Sequence, residues 1–295
     1  GKRGEILVNE YMETSQPDIY ALGDAISVKH IVNGQQVLIP LASPANKQGR
    51  IVADNLTGRK RAYRGSQGTS IMKLFDLTVA VTGEKEESLQ VQGCHYGKVF
   101  TVSASHAGYY PGGNQMYIKT LFGPESGRIL GAQIVGKDGV DKRIDLLANA
   151  VRFGQTCFEL QEEELSYAPP FSSAKDPVNM AGYVIENVLE GRMKPYYLED
   201  IPHIPQDALR IDVRKPEEYE AGHIPGYINL PLDELRERLS ELDLSKEIYL
   251  TCQIGLRGYL AQRILEQHGA STKNLSGGYA LYQEMIQDKQ AIAAG

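Results

Sequence analysis

A change in the spacing of apolar residues divides this chain into two kinds of fold. From about residue 68 to 135, five apolar segments are separated by Gly-containing turns, and several alternate apolar with polar residues. This alternation is typical of an antiparallel sheet with one solvated face. Beyond about residue 195, strand-like segments alternate with amphipathic helices, as in α/β domains with a parallel sheet. The sequence therefore predicts an α+β domain followed by an α/β domain.

Length, charge and cysteine content exclude several classes of function. The chain has 295 residues and a net charge of −6, and an acidic balance is unsuited to the phosphate backbone of nucleic acids. No apolar run approaches the ~18 residues that span a bilayer, so we expect no membrane partner and a cytoplasmic location. Three cysteines without a C-x-x-C pair predict neither a disulfide framework nor a metal site.

Cys252 is the residue with the most specific setting. It ends an apolar strand predicted over 247–252 and lies on a short loop that leads into a helix predicted from Gly258. Loop N–H groups and a helix N-terminus stabilise anions, and Arg257 adds a positive charge, so this position favours a thiolate. From these residues alone, an inert buried thiol at a strand end is an equally good interpretation.

The motifs around Cys252 resemble the rhodanese (sulfurtransferase) family across about residues 196–290. They are 209–219, 222–232, the loop Cys252-x-x-Gly255-x-Arg257, and 274–279. The resemblance implies that Cys252 carries a persulfide, and that the terminal sulfur is cradled by a loop made of Gln253, Ile254, Gly255, Leu256 and Gly258.

Details of this loop refine the expected chemistry. Its Cys-x4-Arg spacing is one residue shorter than the Cys-x5-Arg of related phosphatases, which favours a sulfur atom over a phosphate. Gln253 and Ile254 carry no charge, so low activity on thiosulfate is predicted. We interpret His223, in a Gly-His-Ile-Pro-Gly turn, as a residue that fixes a loop rather than as a base.

The segment 14–24 resembles the second flavin fingerprint of the pyridine nucleotide-disulfide oxidoreductases. The resemblance implies that Gly23 lets the backbone approach FAD and that Asp24 bonds its ribityl chain. A helix predicted over 45–56, opening at Pro44, would then direct the N–H groups of Ala45 and Asn46 at the flavin pyrimidine edge.

The segments 105–112 and 165–179 resemble the dimerisation domain of the coenzyme A-disulfide reductase and NADH oxidase branch. The resemblance implies that Tyr109 and Tyr167 reach across a homodimer to the substrate sulfur, where a phenol can orient or protonate a leaving thiolate. It also places Phe171 among the cofactor-binding residues. Cys94 and Cys157 have no basic or Gly-rich setting and are predicted to be inert.

The whole chain thus resembles the C-terminal portion of a coenzyme A-disulfide, persulfide or polysulfide reductase fused to a rhodanese domain. The expected division is the tail of an FAD-binding domain (1–66), an α+β dimerisation domain (67–180), a linker helix (181–195) and an α/β rhodanese domain (196–295). FAD, NAD(P)H, coenzyme A and a thiol or persulfide substrate are implied.

We expect the nucleotide motifs and the redox cysteine to lie in an N-terminal portion outside this chain, since it has no G-x-G-x-x-G element. Three other interpretations stay open. They are an NADH oxidase-like flavoprotein, a sulfur carrier without reductase activity, and a cysteine-based phosphatase.

Overall fold

The computed structural model describes residues 1–2 and 4–294, with the side chains of the last helix described as far as residue 286. Its N-terminal part is a small mixed sheet of three strands and one long helix. The middle strand pairs parallel to the first and antiparallel to the third, and the helix packs on the sheet through Ile51 and Val52. These elements are β1 (Ile6–Leu7), β2 (Ile26–Lys29), β3 (Gln36–Leu38) and α1 (Ala42–Leu56).

The central part is a five-stranded sheet in the order β4-β5-β8-β7-β6, with every neighbouring pair antiparallel. Helices α3 and α5 bury their apolar faces on it, and Ile144, Leu147 and Ile185 belong to this core. The elements are β4 (Ser70–Leu74), β5 (Leu77–Gly83), α2 (Glu86–Val91), β6 (Gly97–Ala104), β7 (Gln115–Phe122), β8 (Ile129–Gly136), α3 (Val140–Phe153), α4 (Cys157–Glu162) and α5 (Pro177–Leu189).

The C-terminal part is a five-stranded sheet in the order β11-β10-β12-β13-β9, with every neighbouring pair parallel. Most residues of its three inner strands are buried, as expected for strands covered on both faces. The elements are β9 (Pro195–Tyr196), β10 (Leu209–Asp212), α6 (Pro216–Glu220), β11 (Ile228–Asn229), β12 (Glu247–Thr251), α7 (Leu256–Gln267), β13 (Ser271–Leu275) and α8 (Gly278–Ala294). The predicted fold class is therefore confirmed.

Three local predictions are wrong. The sequence predicts a helix over 232–239, but the segment is a series of turns followed by a 3₁₀ helix (Leu239–Glu241), because most of its N–H groups bond carbonyls three residues back, as from Leu235 to Leu232. The sequence also predicts a strand over 19–22, but that segment makes only a single bridge, from Tyr20 to Glu13. Helix α1 begins at Ala42, which is possible because Pro44 then lies in the first turn, where its missing N–H costs no helical bond.

Direct hydrogen bonds hold the central and C-terminal domains together at strand β6 and helix α5. The Phe100 N–H donates to Ser276 Oγ at 2.8 Å, and the Tyr197 hydroxyl donates to the Lys98 carbonyl at 2.7 Å. The Tyr259 hydroxyl donates to Asn187 Oδ1 at 3.2 Å. These contacts place the loop after β12 against the central domain. Among the described residues, no helix is both long and apolar enough to cross a membrane.

Candidate functional site

The loop between β12 and α7 surrounds the thiol of Cys252. Cys252 is 1% exposed, and the Gly255 N–H donates to its sulfur at 3.1 Å. Gly255 has a φ of 106°, which places this N–H toward the sulfur and which a residue with a side chain adopts only under strain. The buried side chain of Asn274 donates to the Gly255 carbonyl at 2.9 Å and fixes the peptide from behind.

Helix α8 holds the start of the same loop. The Tyr279 and Ala280 N–H groups, in its first turn, donate to the carbonyls of Cys252 and Gln253 at 2.8 and 2.9 Å. These two hydrogen bonds fix the backbone carbonyls at the start of the loop. The segment 274–279, which the sequence singled out as a motif, is therefore the support of the cysteine loop.

Each of the two arginines at this loop is paired with a carboxylate. Arg257 donates from Nη1 and Nη2 to the two oxygens of Glu218 at 2.6 and 2.7 Å. These bonds lower the pKa of Glu218 to about 2 and raise the pKa of Arg257. Arg214 is buried, chelates Asp212 and reaches Gln253 Oε1 at 3.2 Å. The sequence predicted that the positive charge of Arg257 acts on Cys252 alone. In the structure Arg257 is paired with Glu218, which the sequence did not single out.

His223 takes no part in this loop's hydrogen bonds. Its ring is exposed, stacks on Tyr219 with centroids 3.9 Å apart, and its Nδ1 lies 3.1 Å from the Tyr219 carbonyl. This arrangement agrees with a loop-fixing role.

The two tyrosines predicted to act together lie side by side. The hydroxyl oxygens of Tyr109 and Tyr167 are 2.7 Å apart, and both side chains are exposed. The hydrogen bond with Tyr109 raises the pKa of Tyr167, so that this phenol stays protonated. A pair of exposed, hydrogen-bonded phenols is suited to donate a proton to a departing anion.

A buried ion pair holds the loops that carry these tyrosines. Arg143 on α3 donates to Asp176 at 2.9 and 3.3 Å and to Ser172 Oγ at 3.0 Å, and the Ser172 carbonyl accepts from the Ala107 N–H. Sequence reasoning missed this network. Asp176 before a proline is a helix-cap signal, but Arg143 had no signal that distinguishes it from an arginine on a solvated helix face.

Two of the residues predicted to hold a flavin, Gly23 and Asp24, lie beside the start of α1. The Gly23 N–H donates to Gln48 Oε1 of α1 at 2.8 Å, which brings the exposed carboxylate of Asp24 next to the helix start. One donor prediction is wrong, because the Ala45 N–H already bonds the Leu41 carbonyl at 3.2 Å. The helix begins earlier than expected, so its open N–H groups belong to Ala42 and Ser43.

The other residues of this prediction are spread more widely. Pro44 is buried in the first turn of α1, and Asn46 is exposed and bonds the Ala42 carbonyl through its side chain. Phe171 is exposed on the Tyr167 loop. The Asp24 carboxylate can accept hydrogen bonds from hydroxyls, and the open N–H groups at the start of α1 can donate to a polar ring edge. Together they fit the ribityl and pyrimidine parts of a flavin.

The remaining cysteines differ from Cys252. Cys157 is buried, and burial, with the nearby Glu186 charge, raises its pKa to about 11, so it stays a thiol. Cys94 is exposed after α2, and its Sγ lies 3.7 Å from Gln92 Oε1. No loop N–H groups or arginine surround either of them in the described contacts.

A cavity of ≈ 390 Å³ lies between the central and C-terminal domains beside the cysteine loop. Its walls are mostly apolar, with Phe100, Met180 and Val184 on one side and Ile254, Leu256 and Leu275 on the other. Its volume is within the range of small-ligand sites.

Comparison with known proteins gives two domain matches. Residues 69–177 match the dimerisation domain of the pyridine nucleotide-disulphide oxidoreductases, and residues 196–285 match the rhodanese-like domain. The fold and the site thus define an oxidoreductase dimerisation domain joined to a rhodanese-like domain.

Two solved structures and one curated protein show which members of this class the chain resembles. The crystal structure of reduced Bacillus anthracis CoADR-RHD superimposes with a TM-score of 0.94 and 49% identity, over 98% of this chain and 52% of that one. The NAD-dependent persulfide reductase from A. fulgidus gives a TM-score of 0.87 and 39% identity, over 95% and 51%. The coenzyme A disulfide reductase of Staphylococcus haemolyticus is 42% identical over 61% of this chain and 41% of its own length.

The chain is therefore a homologue of coenzyme A disulfide reductases and persulfide reductases. It spans about half the length, or less, of these relatives.

Proposed function

We propose that this chain is the C-terminal portion of a flavin-dependent coenzyme A-disulfide, coenzyme A-persulfide or polysulfide reductase that uses NAD(P)H. Its rhodanese-like domain carries sulfane sulfur on Cys252. The observation that carries the proposal is the Gly255 N–H on the Cys252 sulfur, in a chain that also holds the paired phenols of Tyr109 and Tyr167. We further infer a homodimer in the cytoplasm; the dimer is supported by the match to a dimerisation domain, which exposes these phenols on its surface.

The sulfur-transfer half of the reaction follows from the loop. The Cys252 thiolate attacks the outer sulfur of a sulfane donor, the S–S bond of the donor breaks, and its electron pair leaves with the departing anion. The negative charge then lies on the terminal sulfur of the Cys252 persulfide. The N–H of Gly255 and the start of α7 stabilise that charge without moving, since helix α8 and Asn274 already hold the loop.

The reductive half assigns roles to residues of the other two domains. The carboxylate of Asp24 and the open N–H groups at the start of α1 would hold the ribityl and pyrimidine parts of FAD. When bound, FAD supplies two-electron transfer from NAD(P)H to a sulfur atom. Tyr109 and Tyr167 orient the substrate sulfur and donate a proton to the thiolate that leaves, and the Arg143–Asp176 pair fixes their loops.

The test of this proposal combines the intact mass of the protein after treatment with a sulfane donor and the yellow colour expected of bound FAD. Treatment of the whole protein with a sulfane donor should add the mass of one sulfur to Cys252, reversibly with a reductant, and the protein should be yellow. A Cys252→Ser variant that still gained this mass would refute the assignment. A colourless protein that still loads Cys252 would indicate a sulfur carrier, and NADH consumption with oxygen but no sulfur substrate would indicate an oxidase.

A further inference from the structure

Charge at the rim of the cysteine loop is balanced within two ion pairs. Arg257 and Glu218 share two hydrogen bonds of 2.6 and 2.7 Å, and Arg214 is chelated by Asp212. Each pair sums to zero charge. The loop therefore attracts an anion through its N–H groups and the α7 dipole, and not through an uncompensated guanidinium.

Glu218 is held in place by more than Arg257. It lies on α6, and its Oε2 also accepts the Lys215 N–H at 3.0 Å. Both members of the pair are about one third exposed, so solvent reaches them but does not separate them. The guanidinium is thus turned toward Glu218, although it belongs to the loop that contains Cys252.

Two apolar side chains form part of the remaining rim of the loop. Ile254 is 38% exposed and Leu256 is 55% exposed, and both continue into the wall of the cavity between the two domains. These apolar side chains favour the organic part of a donor, whereas the charged Lys175 lies in the cavity lining on the side of the central domain.

We propose that Glu218 is a specificity-determining residue, which cancels the charge of Arg257 so that Cys252 takes sulfur from singly charged or uncharged organic donors in preference to the thiosulfate dianion. This inference rests on the proposed function, since it assumes that Cys252 becomes a persulfide. With thiosulfate, the thiolate attacks the outer sulfur and sulfite leaves with the electron pair. With methanethiosulfonate anion the same bond breaks and methanesulfinate leaves.

These two donors form a matched pair for the test, because they share the sulfane bond and differ by one negative charge. The experiment measures the second-order rate constant for gain of one sulfur on Cys252, by mass, with each donor. Glu218→Gln keeps the side-chain shape and an oxygen for Arg257 but removes the charge. Its ratio of thiosulfate to methanethiosulfonate rate should rise by about fivefold, the effect of one unit charge near a solvated site.

Glu217→Gln is the matched control. Glu217 lies next to Glu218 on α6, is exposed, and its substitution changes the net charge of the protein by the same amount. Its ratio should stay at the wild-type value. The gain in Glu218→Gln should vanish when Arg257→Ala is added, and Glu218→Asp, which keeps the charge, should leave the ratio low.

Several results would overturn the inference. They are a ratio within twofold of wild type in folded Glu218→Gln, an equal rise in Glu217→Gln, or an equal loss of both rates, which would mean that Glu218 only supports the loop. Wild-type protein that loads from neither donor would instead refute the proposed function, and the inference with it.

Discussion

At the cysteine loop, single side chains act by fixing the backbone groups that surround the Cys252 sulfur. The Cys252 sulfur receives one N–H, from Gly255, whose carbonyl is held by Asn274 and whose backbone has a positive φ. The sequence contained the cysteine and the glycine in one motif and the asparagine in another. Their connection depends on the adjacency of β12 and β13 in the parallel sheet, which no local pattern encodes.

The closeness of Gly258 to Asn274 leads to a first prediction. A Cβ on Gly258 would lie 2.1 Å from Asn274 Oδ1, so Gly258→Ala must displace the side chain that holds Gly255. We expect sulfur loading of Cys252 to slow at least about tenfold, as when one fixed N–H donor to an anion is lost.

Gly49 provides the control for this substitution. It also lies inside a helix, and a Cβ there meets no atom within 4 Å. Gly49→Ala should keep the loading rate and raise the free energy of unfolding by up to about 1 kcal/mol. Equal loading rates in the two variants would contradict the role of Asn274 and Gly255.

The phenol pair leads to a second prediction. If Tyr109 and Tyr167 protonate a leaving thiolate, replacing both by Phe removes an interaction that is stronger in the transition state. NADH-dependent reduction of coenzyme A disulfide should fall at least tenfold in kcat, a floor below the usual range of about 10²–10⁴ for acid–base help. Loading of Cys252 should not change. Steady-state rates within twofold of wild type would return both tyrosines to a packing role.

At the scale of elements, the sequence predicted the strands and helices that depend on the local spacing of apolar residues. The five antiparallel strands of the central sheet follow from the alternation of apolar and polar residues and from the Gly-containing turns between them. The short helices α2 and α4 were missed because six residues carry little periodicity. The Glu218–Arg257 pair was missed because the two residues are 39 positions apart and meet only when α6 packs near α7.

An ion cluster that joins α2 to strands β6 and β7 leads to a third prediction, on pH. Burial alone raises the pKa of Glu86, but hydrogen bonds from Lys119, Lys98 and Tyr96 outweigh it and lower the value from 4.5 to about 2. A carboxylate whose pKa is lower in the folded state than in the unfolded state stabilises the fold at pH values above its unfolded-state pKa. This stabilisation is lost as the pH falls through the folded-state pKa. The contribution of Glu86 should therefore disappear between about pH 4.5 and 2.

Glu86→Gln should reduce the free energy of unfolding at pH 7 by about 1–2 kcal/mol, after allowance for solvent screening. Its stability should also fall less steeply than that of wild type below pH 4.5. Glu87→Gln, at the next and exposed position, is the control and should follow the wild-type curve. Denaturant unfolding at several pH values measures both, and parallel curves for Glu86→Gln and wild type would show that Glu86 is not coupled to folding.

At the scale of the whole molecule, the central and C-terminal domains face each other beside the cysteine loop. Strand β6 binds Ser276, which lies in the segment that supports the loop, and the cavity between the domains opens beside Ile254 and Leu256. The sequence predicted both domains but not this docking, which depends on surface contacts of single side chains. Under the proposed function, this docking would raise the effective concentration of the sulfur carried on Cys252 at the reductase site.

The central claim is that Cys252 delivers sulfur to a reductase within the same protein. The most direct measurement is the rate of NADH oxidation by the whole protein with methanethiosulfonate anion, compared with coenzyme A disulfide, in wild type and Cys252→Ser. In the first reaction the Cys252 persulfide is reduced to a thiol and sulfide by the electron pair of NADH. Cys252→Ser should lose this rate at least tenfold and keep the coenzyme A disulfide rate within twofold. Equal thiosulfonate rates in the two proteins would contradict the account.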